Sequence, residues 1–69
     1  MVYVFKTSVK YKKQIKKVAQ ELNKMKEIQE WNFDLEDCDK ILRIVARNLN
    51  SVLICNLLHS LGIYCEELE

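Results

Sequence analysis

The sequence predicts an α+β fold of element order βαββαβ, and three observations carry that prediction. A 3.6-residue periodicity appears twice, first in Ile15, Val18, Ala19, Leu22 and Met25, then from Val52 to Leu61. A β-rich segment precedes each of these runs, Val2-Tyr3-Val4-Phe5 before the first and Ile41 to Val45 before the second. Strict alternation of Trp31, Phe33 and Leu35 with Glu30, Asn32 and Asp34 adds a further strand, and Ile63-Tyr64-Cys65 supplies the last.

Taken in order, the first strand is expected over residues 2–6. Val2 and Val4 point one way, Tyr3 and Phe5 the other, so both faces are apolar and the pattern leaves open which one meets the core. Thr7 or Ser8 offers a hydroxyl to cap the next helix. That helix is expected over 11–25, with the apolar stripe inward and Lys10, Lys13, Lys17 and Lys24 on the solvated side. The second strand is expected over 28–35, one face buried and one wet. Glu36-Asp37-Cys38-Asp39 is short and polar, as a hairpin turn should be. The third strand is expected over 41–46. Asn48, Asn50 and Ser51 supply turn and cap chemistry for a second helix that buries Ile54, Leu57, Leu58 and Leu61. Gly62, the only glycine, ends that helix in a left-handed conformation, and the final strand follows over 63–68. Two right-handed βαβ crossovers then produce a ferredoxin-like sandwich, a four-stranded antiparallel sheet with two helices on one face. The other sheet face stays uncovered.

The 69 residues are expected to form one domain, 1–69, with about half of them hydrophobic. A core of this size supplies roughly 3–5 kcal/mol. The formal net charge of +1 gives no reason to invoke nucleic acid or a membrane surface. No apolar stretch approaches the ~18 residues of a membrane span. The first residues lack the basic-then-apolar layout of a secretory signal, and three cysteines fit a reducing setting, so the expected location is cytoplasmic. An odd cysteine count also excludes a fully paired intramolecular framework.

Met25-x-x-Ile28, Trp31-x-Phe33-Asp34-Leu35 and Leu61-Gly62-Ile63 together resemble the heavy-metal-associated domain family, the copper chaperones and the N-terminal domains of metal-transporting ATPases. Family members show a helix ending Leu-Pro-Gly-Val, a strand Val-x-x-Val-x-Val-Asp-Leu, and Ala-Gly-Tyr after the second helix. Here Met25-Lys26-Glu27-Ile28 lacks the Pro-Gly, and Ile63 replaces the last aromatic. The resemblance spans about residues 8–67 and implies the ferredoxin-like fold. It also implies where a soft metal would sit, in Gly-Met-Thr-Cys-x-x-Cys between the first strand and first helix. Carried over without gaps, those positions are Ser8-Val9-Lys10-Tyr11-Lys12-Lys13-Gln14. Val9 keeps the apolar anchor. Tyr11 and Gln14 replace both cysteines, and a phenol and an amide do not substitute for the thiolates that select copper(I) or zinc. No metal or other cofactor is therefore expected.

Lys10, Lys12, Lys13, Lys16 and Lys17 crowd the start of the first helix, where the macrodipole already disfavours cations. One compensation is an anion or an acidic partner held by Thr7, Ser8, Lys10, Tyr11, Lys12, Lys13 and Gln14. The remaining motifs read as structural. Cys38 is expected exposed in the hairpin, with Cys55 and Cys65 buried and the three not converging. His59 is expected on the outer side of the second helix. Asp34, Glu36, Asp37 and Asp39 lack the glycine and the twelfth-position glutamate of a calcium loop, that slot being Val45. There is no catalytic constellation and no Cys-x-x-Cys. The third strand lacks the stacking aromatics of an RNA-recognition sheet.

The expected function is a non-enzymatic interaction domain whose metal loop is degenerate. Its partner would be another protein, or a second copy met through the open sheet face (Tyr3, Phe5 or their alternates) or a sheet edge. Metal handling through Cys38, Cys65 or His59 is the alternative, and a small ACT-like regulatory ligand-binding domain, which shares the element order, is a third.

Overall fold

The computed structural model describes residues 1–36 and 38–68. Its elements run β1 (Val2–Thr7), α1 (Lys12–Leu22), β2 (Ile28–Asp34), β3 (Ile41–Ala46), α2 (Ser51–Ser60) and β4 (Cys65–Leu68). The four strands form one sheet in the order β2-β3-β1-β4, with every neighbouring pair antiparallel. This is the ferredoxin-like order expected from the two crossovers.

Strand register decides the ambiguous faces of β1. Tyr3 pairs with Ile44 and Phe5 with Leu42, so both aromatics stand on the face that carries the fully buried Leu42, Ile44 and Ala46 of β3. Phe5 is fully buried and Tyr3 packs against the core. The open face is therefore built from Val2, Val4 and Lys6 with Arg43 and Val45, not from Tyr3 and Phe5. Tyr3 has a second task. Its hydroxyl accepts the backbone N–H of Leu49 at 3.2 Å, tying β1 to the segment that leads into α2.

The core between sheet and helices comprises Phe5, Val9, Val18, Leu22, Leu42, Ile44, Ile54, Leu58 and Ile63, all nearly or fully buried. Trp31 and Phe33 meet edge to face at 6.1 Å and pack beside it. A bulge between Ile28 and Glu30 resets the register of β2. β2 ends at Asp34, one residue earlier than the alternation suggests, and Leu35 is exposed beyond it. α1 likewise ends at Leu22 rather than Met25. Turns in which Met25 N–H meets Leu22 O and Ile28 N–H meets Met25 O then keep Met25 against the core without helical backbone.

α2 has complete caps. Asn50 accepts Val52 N–H at 3.0 Å at the start. At the end, Gly62 adopts φ +78°, Gly62 N–H bonds His59 O at 3.0 Å and Ile63 N–H bonds Leu58 O at 2.9 Å. These are the two bonds of a Schellman motif, with the apolar contact supplied by Ile63 and Leu58. The turn carries residues 63–64 across to the sheet, so β4 begins at Cys65 and not at Ile63.

Candidate functional site at the β1–α1 loop

The loop rests on two hydroxyls that are already engaged. Thr7 Oγ1 donates to Lys40 O at 2.7 Å and accepts Val9 N–H at 3.3 Å. Ser8 N–H reaches Tyr64 O at 3.1 Å, and Ser8 Oγ accepts Tyr64 N–H at 2.8 Å. Thr7 thus clasps the β2–β3 turn and Ser8 clasps the entry to β4. Neither caps α1. Val9, fully buried, anchors the loop to the core as its apolar character predicts.

Gln14 does the capping. Its Oε1 accepts Lys10 N–H at 2.7 Å and Tyr11 N–H at 3.0 Å, folding the loop back over the first helical turn. Tyr11 occupies the N-cap position with extended backbone and is 66% exposed. Lys10, Lys12 and Lys13 project to solvent around it, followed by Lys16 and Lys17. No acid stands in the first turn of α1. Among the described residues none of these lysines is in an ion pair, whereas Lys6 pairs with Asp39, Lys24 with Glu21 and Arg43 with Asp34. The seven residues singled out from the sequence therefore divide. Thr7, Ser8 and Gln14 spend their polar atoms on the backbone, and Lys10, Tyr11, Lys12 and Lys13 form an exposed cationic rim.

The cysteines and the histidine lie elsewhere. Cys38 is exposed in the β2–β3 turn, at the end of the sheet that Thr7 contacts through Asp39 O and Lys40 O. Asp37 of the same acidic turn lies outside the described residues. His59 is exposed, its ring 6.3 Å from that of Tyr64. The Tyr64 hydroxyl donates to Glu66, and that bond holds its proton above the ordinary range. Cys55 and Cys65 correct the expectation that the cysteines stay apart, since their sulfurs are 3.5 Å from one another. The Schellman turn causes this by folding β4 back beneath α2. Burial, followed by the hydrogen bond to Cys55, pushes the Cys65 thiol well up from 9.0. Among the described residues no three His, Cys, Asp or Glu side chains converge in a way that would hold a metal ion. No helix among them is long and apolar enough to cross a membrane.

Sequence reasoning missed the two clasps and the sulfur pair. Gln14 carried a usable signal, since glutamine three residues after an N-cap reaches back to the backbone. The Ser8–Tyr64 pairing carried none, because it joins residues 56 positions apart.

No family model and no curated protein matches the sequence. Solved structures do match. The yeast copper transporter domain Ccc2a, determined in apo and Cu(I)-loaded states, superposes with a TM-score of 0.84 at 13% identity, covering 99% of this chain and 94% of that one. The Cu(I)-loaded first domain of the human copper chaperone for SOD1, CCS, gives 0.77 at 18% identity over 96% and 89%. A chain of the Atx1–Cu(I)–Ccc2a complex gives 0.83 at 13% identity over 99% and 94%. The chain has the fold of the heavy-metal-associated domains.

Proposed function

We propose that this chain is a single non-enzymatic domain, 1–69, that works in the cytoplasm as a protein-interaction module and has given up metal ligation at the β1–α1 loop. The observation that carries this reading is the state of Gln14. Its one acceptor oxygen takes two backbone N–H groups, so the position where the family resemblance puts a sulfur donor serves the loop itself. The other such position, Tyr11, is a solvent-facing phenol. Neither supplies the soft anionic ligand that copper(I) requires.

The lysines, in no ion pair among the described residues, say what the surface suits. Lys10, Lys12 and Lys13 sit at the positive end of α1, whose first turn holds no acid, and Lys16 and Lys17 follow one turn further on. An acidic protein surface supplies the missing charge and gains from complementary approach. That one solved neighbour is a complex of Atx1 and Ccc2a supports protein contact as a use of this fold.

The test has two arms on the purified chain. Elemental analysis with a copper(I) competition assay is expected to find no stoichiometric metal. NMR titration with a glutamate-rich peptide is expected to shift the amides of residues 8–17, and less so in K12E/K13E. Metal at one equivalent, or an unperturbed loop at saturating peptide, overturns the reading.

A further inference from the structure

We propose that Cys55 and Cys65 form a reversible disulfide that staples helix α2 to strand β4 when the chain meets a low-molecular-weight disulfide oxidant. The two sulfurs are already 3.5 Å apart in the thiol form, and they belong to residues ten positions apart in sequence. The backbones that carry them are held on both sides. The bonds from Gly62 and Ile63 to His59 and Leu58 fix the end of α2, and the paired Ser8 and Tyr64 fix the entry to β4. Both side chains touch the same core. The sulfurs must close from that 3.5 Å to the covalent separation of about 2.05 Å.

Exposure gives the two thiols different parts. Cys55 is half-buried and accessible from the surface of α2, whereas Cys65 is 4% exposed. The Cys55 sulfur, as thiolate, attacks one sulfur of the oxidant, breaking its S–S bond and releasing one small thiolate. The Cys65 thiol then gives up its proton and attacks the Cys55 sulfur of the mixed disulfide. The new Cys55–Cys65 bond forms as the second small thiolate leaves, and the two protein protons end on the two released thiols. Two protein thiols are oxidised and one small disulfide is reduced. The high proton affinity of the buried Cys65 makes this second step the slow one. Cys38, alone in its exposed turn, takes no part.

The experiment uses the full chain carrying Cys38→Ser, which removes the exposed thiol and leaves the pair intact. It is incubated with oxidised glutathione and then unfolded in guanidinium chloride containing N-ethylmaleimide, so that every remaining thiol, the buried Cys65 included, is alkylated. The expected product is monomeric, about 2 Da lighter than the reduced chain, without maleimide adducts, and returned to two adducts by dithiothreitol. Its peptide map links Cys55 to Cys65, and Tm rises by roughly 10 °C, as a short closed loop in a domain of this size implies. In a C38S/C55A chain the same treatment should leave Tm unchanged. Two maleimide adducts after prolonged oxidation, a glutathione adduct that never closes, linkage only between chains, or an equal Tm rise in C38S/C55A overturns the proposal.

Discussion

The side-chain oxygen of Gln14 lies 2.7 Å from the backbone nitrogen of Lys10, and that bond, with its partner to Tyr11 N–H, closes the loop between β1 and α1. A helix start leaves its first N–H groups unmatched, and here no serine, threonine or acid at the cap meets them. An amide three residues along reaches back instead. The loop keeps its shape through a contact available to glutamine or glutamate and closed to most other side chains.

Replacing Gln14 therefore separates shape from charge. Gln14→Ala is expected to lower stability by about 1 kcal/mol, the usual cost of a lost cap. Gln14→Glu keeps the acceptor and adds a negative charge near the helix start, so it should match or exceed the parent. Urea denaturation of the three chains decides this. Equal losses in both variants would mean that the amide nitrogen, not the oxygen, matters.

The scaffold allows a gain of function as a complement to that loss. The double variant Y11C/Q14C places two thiols where the family resemblance puts them, on a loop still footed by Val9 and the Ser8–Tyr64 pairing. It is expected to take up one equivalent of copper(I) in a competition assay in which the parent takes up none. Failure of the folded double variant to bind would move the defect from the ligands to the lysines around them.

Tyr3 tests the link between β1 and the approach to α2. Tyr3→Phe keeps the ring in the core and removes the hydroxyl that accepts Leu49 N–H. Leu49 is only 7% exposed, so its N–H is left poorly solvated. The expected cost is about 1–2 kcal/mol in chemical denaturation. Hydrogen exchange at Leu49 should accelerate at the same time.

Alkaline pH should weaken the reduced protein. The Cys65 thiol holds its proton to higher pH in the folded chain than the 9.0 of a free cysteine, first because it is buried and next because Cys55 hydrogen-bonds it. Its contribution is whole below pH 9. Above that, the unfolded chain releases the proton while the folded chain retains it, so stability falls as pH climbs toward the folded value. Denaturation midpoints measured between pH 7 and 11 under reductant should decline more steeply in the parent than in C65A. Identical slopes in the two chains would assign the decline to other groups.

Gly62 ends α2 at φ +78° with nothing within 4 Å of where a Cβ would stand. Gly62→Ala should thus cost only the left-handed conformation, about 1 kcal/mol, without steric repacking. A loss several times larger, read by thermal unfolding, would show that the turn depends on more than its backbone.

Much of this architecture is written along the chain. The stripe Ile15, Val18, Leu22 announces α1, the alternation of Trp31 and Phe33 announces β2, and Asn50 and Gly62 mark the two ends of α2. These signals are local, since periodicity and capping act between residues a few positions apart. The absence of sulfur at Tyr11 and Gln14 is equally plain from the sequence. What tertiary structure alone decides are the matters that depend on distant partners. Both faces of β1 are apolar, so only its pairing with β3 turns Tyr3 and Phe5 inward and leaves Val2 and Val4 outside. Ser8 finds Tyr64, Tyr3 finds Leu49, and Cys65 comes to rest beside Cys55 because strands and helices converge in space. No periodicity encodes such meetings. They follow from the packing of a whole sheet against two helices, which brings distant side chains together only after every element is docked.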